Sequence, residues 1–145
     1  MKKMNYLGVY GVLIRNDKIV LIKKAKGAFV GKLDIPGGGI EFGEEPIETL
    51  KREVMEETGL DVINQKIFDS TSTKYVWEYK KSSFIYFHHI GIIYRIMAKG
   101  KLKHVPDGID SNGANWYLIS NLRRNDLTPF AIYSLEKLGY KLIDR

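Results

Sequence analysis

Residues 38–60 read GGIEFGEEPIETLKREVMEETGL, and everything else in the chain is best read outward from them. A glycine-rich, acidic lead-in ends at Pro46, and no further glycine or proline follows until Gly59. Pro46 suits a first helical position, where its missing N–H costs nothing, and Gly59 suits a C-terminal cap. The spacing therefore predicts a helix over 46–58. On a wheel of about 100° per residue, Ile47, Leu50, Val54 and Thr58 share an arc of about 80° and are expected to face the core. Glu53, Glu56 and Glu57 occupy the adjacent arc as i, i+3 and i+4, so their side chains converge. Glu48, Lys51, Arg52 and Met55 fall on the outer side.

Three convergent carboxylates disfavour a bare helix by a few tenths of a kcal/mol per like-charged pair. A hard divalent cation reverses that sign, because carboxylate oxygens are its preferred ligands. Taken alone, such a stripe describes a solvated acidic face better than a site. Its surroundings shift the weighting. Pro36-Gly37-Gly38-Gly39 lies one loop upstream, and glycine lets backbone groups approach a ligand closely. Arg52 can reach back to pair with Glu44 and fix that loop against the helix.

On either side of this block the chain is rich in strand formers. Residues 6–15 and 19–24 are apolar runs separated by Asn16-Asp17-Lys18, a hairpin pattern. A short strand is expected at 32–35, longer ones at 62–73 and 83–97 around a turn at 79–82, and another at 116–119. A final amphipathic helix is expected over 129–138, ending near Gly139. Strands, helix, strands, helix in one chain of 145 residues suits a mixed sheet flanked by helices in a single domain spanning 1–145. The sequence has no cysteine, which excludes disulfides and thiolate metal sites. No apolar run reaches the roughly 18–20 residues that span a bilayer, and no signal-peptide pattern opens the chain, so the default is a cytoplasmic protein without a membrane partner. A net charge of +6 is compatible with an anionic ligand, but its lysines are scattered.

The spacing Gly38-x5-Glu44-x7-Arg52-Glu53-Val54-x-Glu56-Glu57-x-Gly59-Leu60 resembles the Nudix box at every position, an agreement expected by chance on the order of once in ten million. The resemblance implies an α/β/α sandwich with a mixed β-sheet between helices. It further implies divalent-metal-dependent hydrolysis of a diphosphate linkage in a nucleoside di- or triphosphate or related derivative, through a metal-activated water. Mapped residue by residue, Glu53, Glu56 and Glu57 would hold Mg2+, for which Mn2+ can substitute, with the carbonyl of Gly37 as a further ligand. Glu53 would also orient or deprotonate the water, with Arg52 and Glu44 in support. In MutT-like members another acid precedes the strand that here holds Trp116; Asp110 matches best and Asp107 is the reserve. Lys23 or Lys24 would meet the substrate, as would Gly38, Gly39 and Phe130. Tyr75, Trp77 and Tyr86 could stack on a base, although strand packing is the default for each. His88 and His89 point to opposite faces, so at most one meets a site, and a structural role is expected. Thr128-Pro129-Phe130-Ala131 lacks the asparagine associated with selection of oxidised guanine, which argues against 8-oxo-dGTP as the substrate. The alternatives are a catalytically weak nucleotide-binding domain of the same fold or a protein acting on RNA ends. Nucleic acid is otherwise not the expected partner, and a homodimer is left open.

Overall fold

Parity sorts the side chains of the central strands into two cores. In β3 (Lys18–Lys24), Ile19 and Leu21 enter one core while Val20 and Ile22 enter the other. A strand buried on both faces reads as an unbroken apolar run, which is why 19–22 shows no polar alternation. β1 (Lys2–Val12) divides likewise, Val9 to one side and Tyr10 and Val12 to the other. The computed structural model, which describes residues 1–103 and 111–144, places a helix over each core. Helix α1 (Pro46–Thr58) contributes Leu50 and Val54 to one, and α2 (Pro129–Lys137) contributes Phe130, Ala131 and Leu135 to the other.

The remaining strands in chain order are β2 (Ile14–Arg15), β4 (Leu33–Asp34), β5 (Gly37–Gly39), β6 (Asp61–Lys80), β7 (Ser83–Lys99) and β8 (Ser111–Leu118). One sheet runs β5-β1-β7-β6, with β1 parallel to β7 and antiparallel to β5, and with β6 antiparallel to β7. In the other, β3 pairs antiparallel with β2, β4 and β8. The expected class, a mixed sheet between helices, is the one found. Among the described residues no helix is long and apolar enough to cross a membrane.

Pro46 opens α1 and Gly59 caps it as expected, and a capping box at Glu45, which the sequence reading did not include, closes the N-terminus. The Glu45 N–H donates to the Glu48 carboxylate at 2.8 Å, and Gly59, at φ 76°, donates its N–H to the Met55 carbonyl at 2.9 Å. Several boundaries differ from the sequence reading. The glycine run is not wholly a loop, because Gly37–Gly39 pairs with Tyr10, Val9 and Gly8 as a strand. The strand expected at 6–15 begins at Lys2 and divides after Val12, so that Ile14–Arg15 joins the second sheet. β6 continues past Thr73 to Lys80, since Tyr75, Val76 and Trp77 find Phe87, Tyr86 and Ile85 across the ladder. The turn narrows to Lys81-Ser82. β8 begins at Ser111 rather than at Trp116, and Ile119 starts a short 3-10 turn.

Candidate active site

The buried residues of α1 are Thr49, Leu50, Glu53, Val54, Glu57 and Thr58, an arc of about 180° on the wheel, centred between Glu57 and Leu50. The helix is thus rolled away from the expected orientation. Ile47 is 38% exposed instead of lying in the core, whereas Glu53 and Glu57 are 8% and 3% exposed. The acids do not border the buried seam; two of them belong to it. β5 explains the roll, because a strand of three glycines lets the helix face come close. The Gly37 amide donates to Glu57 Oε1 at 2.7 Å. A Cβ on Gly38 would lie 2.6–2.8 Å from the carboxylate atoms of Glu53, so any side chain there would displace that carboxylate.

Arg52 was expected on the outer side, yet its guanidinium folds back among the acids. It makes a two-pronged contact with Glu44, Nε to Oε2 at 2.8 Å and Nη2 to Oε1 at 2.9 Å. It also donates to Glu53 Oε1 at 2.7 Å and to the Gly39 carbonyl at 3.2 Å, and it lies 3.5 Å from Glu56. A planar five-donor group reaches several acceptors at once, so one residue ties the β5–α1 loop, the helix and a buried carboxylate together. These hydrogen bonds, led by the one from Arg52, pull the Glu44 carboxyl down to about 2. Glu56 stays exposed.

A cleft of about 490 Å³ opens over this ground. Glu53, Glu57, Asp34, Lys24 and Gly37–Gly39 line it together with Tyr75, Trp77, Phe87 and His89. Burial raises the Glu57 carboxyl well above its ordinary value, and the neighbouring Glu53 and Asp34 add to the rise; the Gly37 amide and Lys24 oppose it. Burial likewise raises Asp34, opposed by Lys24 and by hydrogen bonds from Thr128 and the Ile35 amide. Three carboxylates held out of water beside one lysine form an environment that favours a cation. Among the described residues no set of three acidic or histidine side chains closes around one point. The donor set is nevertheless all oxygen, and the missing Cβ of Gly38 leaves the Glu53 carboxylate against β5, so the residues present fit a hard divalent ion.

The other candidates divide. Lys24 lines the cleft, whereas Lys23, on the opposite face of β3, is exposed. Phe130 is 4% exposed and edge-on to Tyr10 and His89, at centroid distances of 5.3 and 4.7 Å, behind the cleft rather than in it. Tyr86 and His88 line a separate depression with Lys3 and Lys74. Asp107 and Asp110 lie outside the described residues. A further cleft of about 530 Å³ contains Asp144, but that carboxylate is held by Arg124 at 2.9 Å, so the acidic ensemble is not repeated there. Sequence reasoning missed Asp34 and gave His89 a structural role by default, with at most one of His88 and His89 expected to meet a site. Asp34 sits across from Ile22 on β4 and accepts the Thr128 hydroxyl at 2.5 Å, joining the start of α2 to the cleft floor. Its place directly before Ile35-Pro36-Gly37 was the available signal: an acid in an otherwise apolar lead-in.

Comparison with known proteins agrees with this architecture. A family model described as NUDIX domain matches residues 4–138. The 8-oxo-dGTP diphosphatase of Escherichia coli is 26% identical over 130 residues, covering 89% of this chain and 91% of that protein. An ADP-ribose pyrophosphatase of Methanocaldococcus jannaschii is 43% identical over 54 residues, 37% of this chain, and the match spans 32% of that relative's length. The crystal structure of a MutT NUDIX hydrolase from Burkholderia pseudomallei superposes with a TM-score of 0.77 at 20% identity, covering 94% of this chain and 99% of that one. At that identity the likeness is one of fold.

Proposed function

Because the chain belongs to the Nudix domain family, with the family match running over residues 4–138, we propose that it is a pyrophosphohydrolase acting on a nucleotide diphosphate linkage. The observation that carries this reading is the burial of Asp34, Glu53 and Glu57 in one cleft with Lys24 and the β5 glycines. Burying charge is costly, and a cluster of acids persists where it serves a ligand. Glu53, Glu56 and Glu57 would hold a divalent ion, magnesium in the first instance, with the Gly37 carbonyl as a further donor. When bound, the ion lowers the pKa of water and offsets charge on phosphoryl oxygens.

The chain's own groups do the rest. Glu53 accepts the proton of the attacking water while Arg52, anchored by Glu44, holds its carboxylate in place. An oxygen–phosphorus bond forms as the bridging phosphorus–oxygen bond breaks, and the leaving phosphate departs with the bridging oxygen. Lys24 offsets phosphate charge at the cleft wall, and Tyr75, Trp77 and Phe87 shield the remainder of the substrate from water.

A phosphate-release screen tests the reading, using nucleoside triphosphates, dinucleoside polyphosphates and nucleotide sugars with magnesium or manganese at alkaline pH. Turnover by the wild type and a loss of at least about 10²-fold in Glu53→Gln is expected. Wild type and variant alike at background on every substrate would leave only a binding domain.

A further inference from the structure

In the wall of the cleft lies a polar chain that the hydrolytic chemistry does not use. The Tyr10 hydroxyl sits 2.7 Å from His89 Nε2, and the Tyr75 hydroxyl sits 3.3 Å from His89 Nδ1. Tyr10 is 4% exposed, and His89 is its hydroxyl's hydrogen-bond partner among the described residues. Tyr75 is half-buried and lines the cleft, stacked on Phe87 at a centroid distance of 5.4 Å. Burial, and secondarily the charge of Lys24, holds His89 down at about 4, so the ring is neutral near pH 7.

A neutral imidazole has one N–H and one lone pair, so one tyrosine must donate to it and the other must accept from it. Hydrogen-bond completeness decides which. Were Nε2 protonated, the buried Tyr10 hydroxyl would accept from it and its own proton would have no acceptor, a buried donor costing about 1–3 kcal/mol. Tyr10 therefore donates to Nε2, and Nδ1–H donates to the Tyr75 oxygen. With its oxygen engaged from behind, Tyr75 directs its own proton into the cleft.

We propose that Tyr75 is a specificity-determining residue that donates a hydrogen bond to an acceptor on the edge of a substrate nucleobase, with His89 and Tyr10 as the positioning residues that fix the direction of that bond. This rests on reading the cleft as the substrate site. The aromatic neighbours Trp77 and Phe87 make the cleft wall beside Tyr75 suited to a flat heterocycle, and a base carbonyl or ring nitrogen supplies the acceptor.

Two measurements on the full chain test it. The first is kcat/KM for GTP, ATP, UTP and CTP against base-free inorganic tripolyphosphate. Tyr75→Phe is expected to lower the preference for the best nucleotide over tripolyphosphate by about three- to tenfold, mainly through KM, the size of one neutral hydrogen bond. An unchanged preference overturns the proposal. The second is 15N NMR of the imidazole, in which His89 should have Nδ1 protonated and Nε2 bare between pH 6 and 8, reverting to a mixture in Tyr10→Phe. A protonated Nε2 in the wild type overturns it as well. If the wild type hydrolyses nothing, the hydrolase reading fails separately, and calorimetric binding of α,β-methylene nucleoside diphosphates replaces kcat/KM. Tyr75→Phe must then weaken binding by the same factor, and equal affinity of the two proteins refutes the assignment.

Discussion

At the scale of single residues, Arg52 and Glu44 show how one ion pair can serve both stability and geometry. The folded Glu44 carboxyl titrates at about 2 against an ordinary value of 4.5. A depressed carboxylate contributes stability that is fully present above the unfolded value and is lost as pH falls through the folded one. Denaturant midpoints should therefore fall between about pH 4.5 and 2 in the wild type, with a shallower fall in Glu44→Gln. Gly38 carries a sharper expectation. Gly38→Ala would force its Cβ against the Glu53 carboxylate, and a displacement of about 1 Å in such a group lowers turnover on the order of 10²-fold. A Gly38→Ala protein with unaltered activity would show that Glu53 tolerates displacement. Glu57 should trade activity for stability. Glu57→Gln keeps an acceptor for the Gly37 amide and removes a buried charge surrounded by Asp34 and Glu53. Thermal scans in metal-free buffer are expected to show a rise of a few degrees, about 1 kcal/mol, while turnover is lost.

At the scale of elements, α1 was legible in the sequence and its orientation was not. Pro46, Gly59 and the 3.6-residue repeat gave the helix its ends, because caps are local chemistry. The roll that buried Glu53 and exposed Ile47 came from β5, whose glycines present a surface that no periodicity encodes. The same holds for the aromatic residues of the cleft. Tyr75 and Trp77 lie beyond the strand end expected at Thr73, and only pairing with Phe87 and Ile85 carries β6 far enough to wall the cleft. His89 was invisible as a site residue because its partners, Tyr10 and Tyr75, are distant in sequence and meet only through the β1–β7 and β6–β7 ladders. The cap at Gly59 is testable. An alanine there must hold a left-handed conformation at φ 76°, with its Cβ 3.0 Å from that of Lys103, and should cost about 1–2 kcal/mol in an equilibrium unfolding experiment.

At the scale of the whole molecule, metal binding by the acids would be linked to the stability of both cores. Glu53 and Glu57 lie on the α1 face that packs inward, and Asp34 joins the cleft to the start of α2 through Thr128. Magnesium or manganese should therefore raise Tm, since a hundredfold excess over Kd adds about 2.7 kcal/mol of stability. Glu53→Gln should respond far less, and a wild type indifferent to both ions would remove the metal site from the cleft. The placement of β1 bears on a different matter, the order in which the chain can assemble. Lys2 pairs with Ile85 and Val12 with Arg95, in parallel, so this central strand gains its second neighbour only after the intervening helix and hairpin have been made. Local steps can form the β6–β7 hairpin and α1 early, but the sheet closes through a long-range contact whose loop entropy must be met first. Refolding should accordingly end in a slow step that locks β1, and amide protons of β1 facing β7 should gain protection later than those within the hairpin.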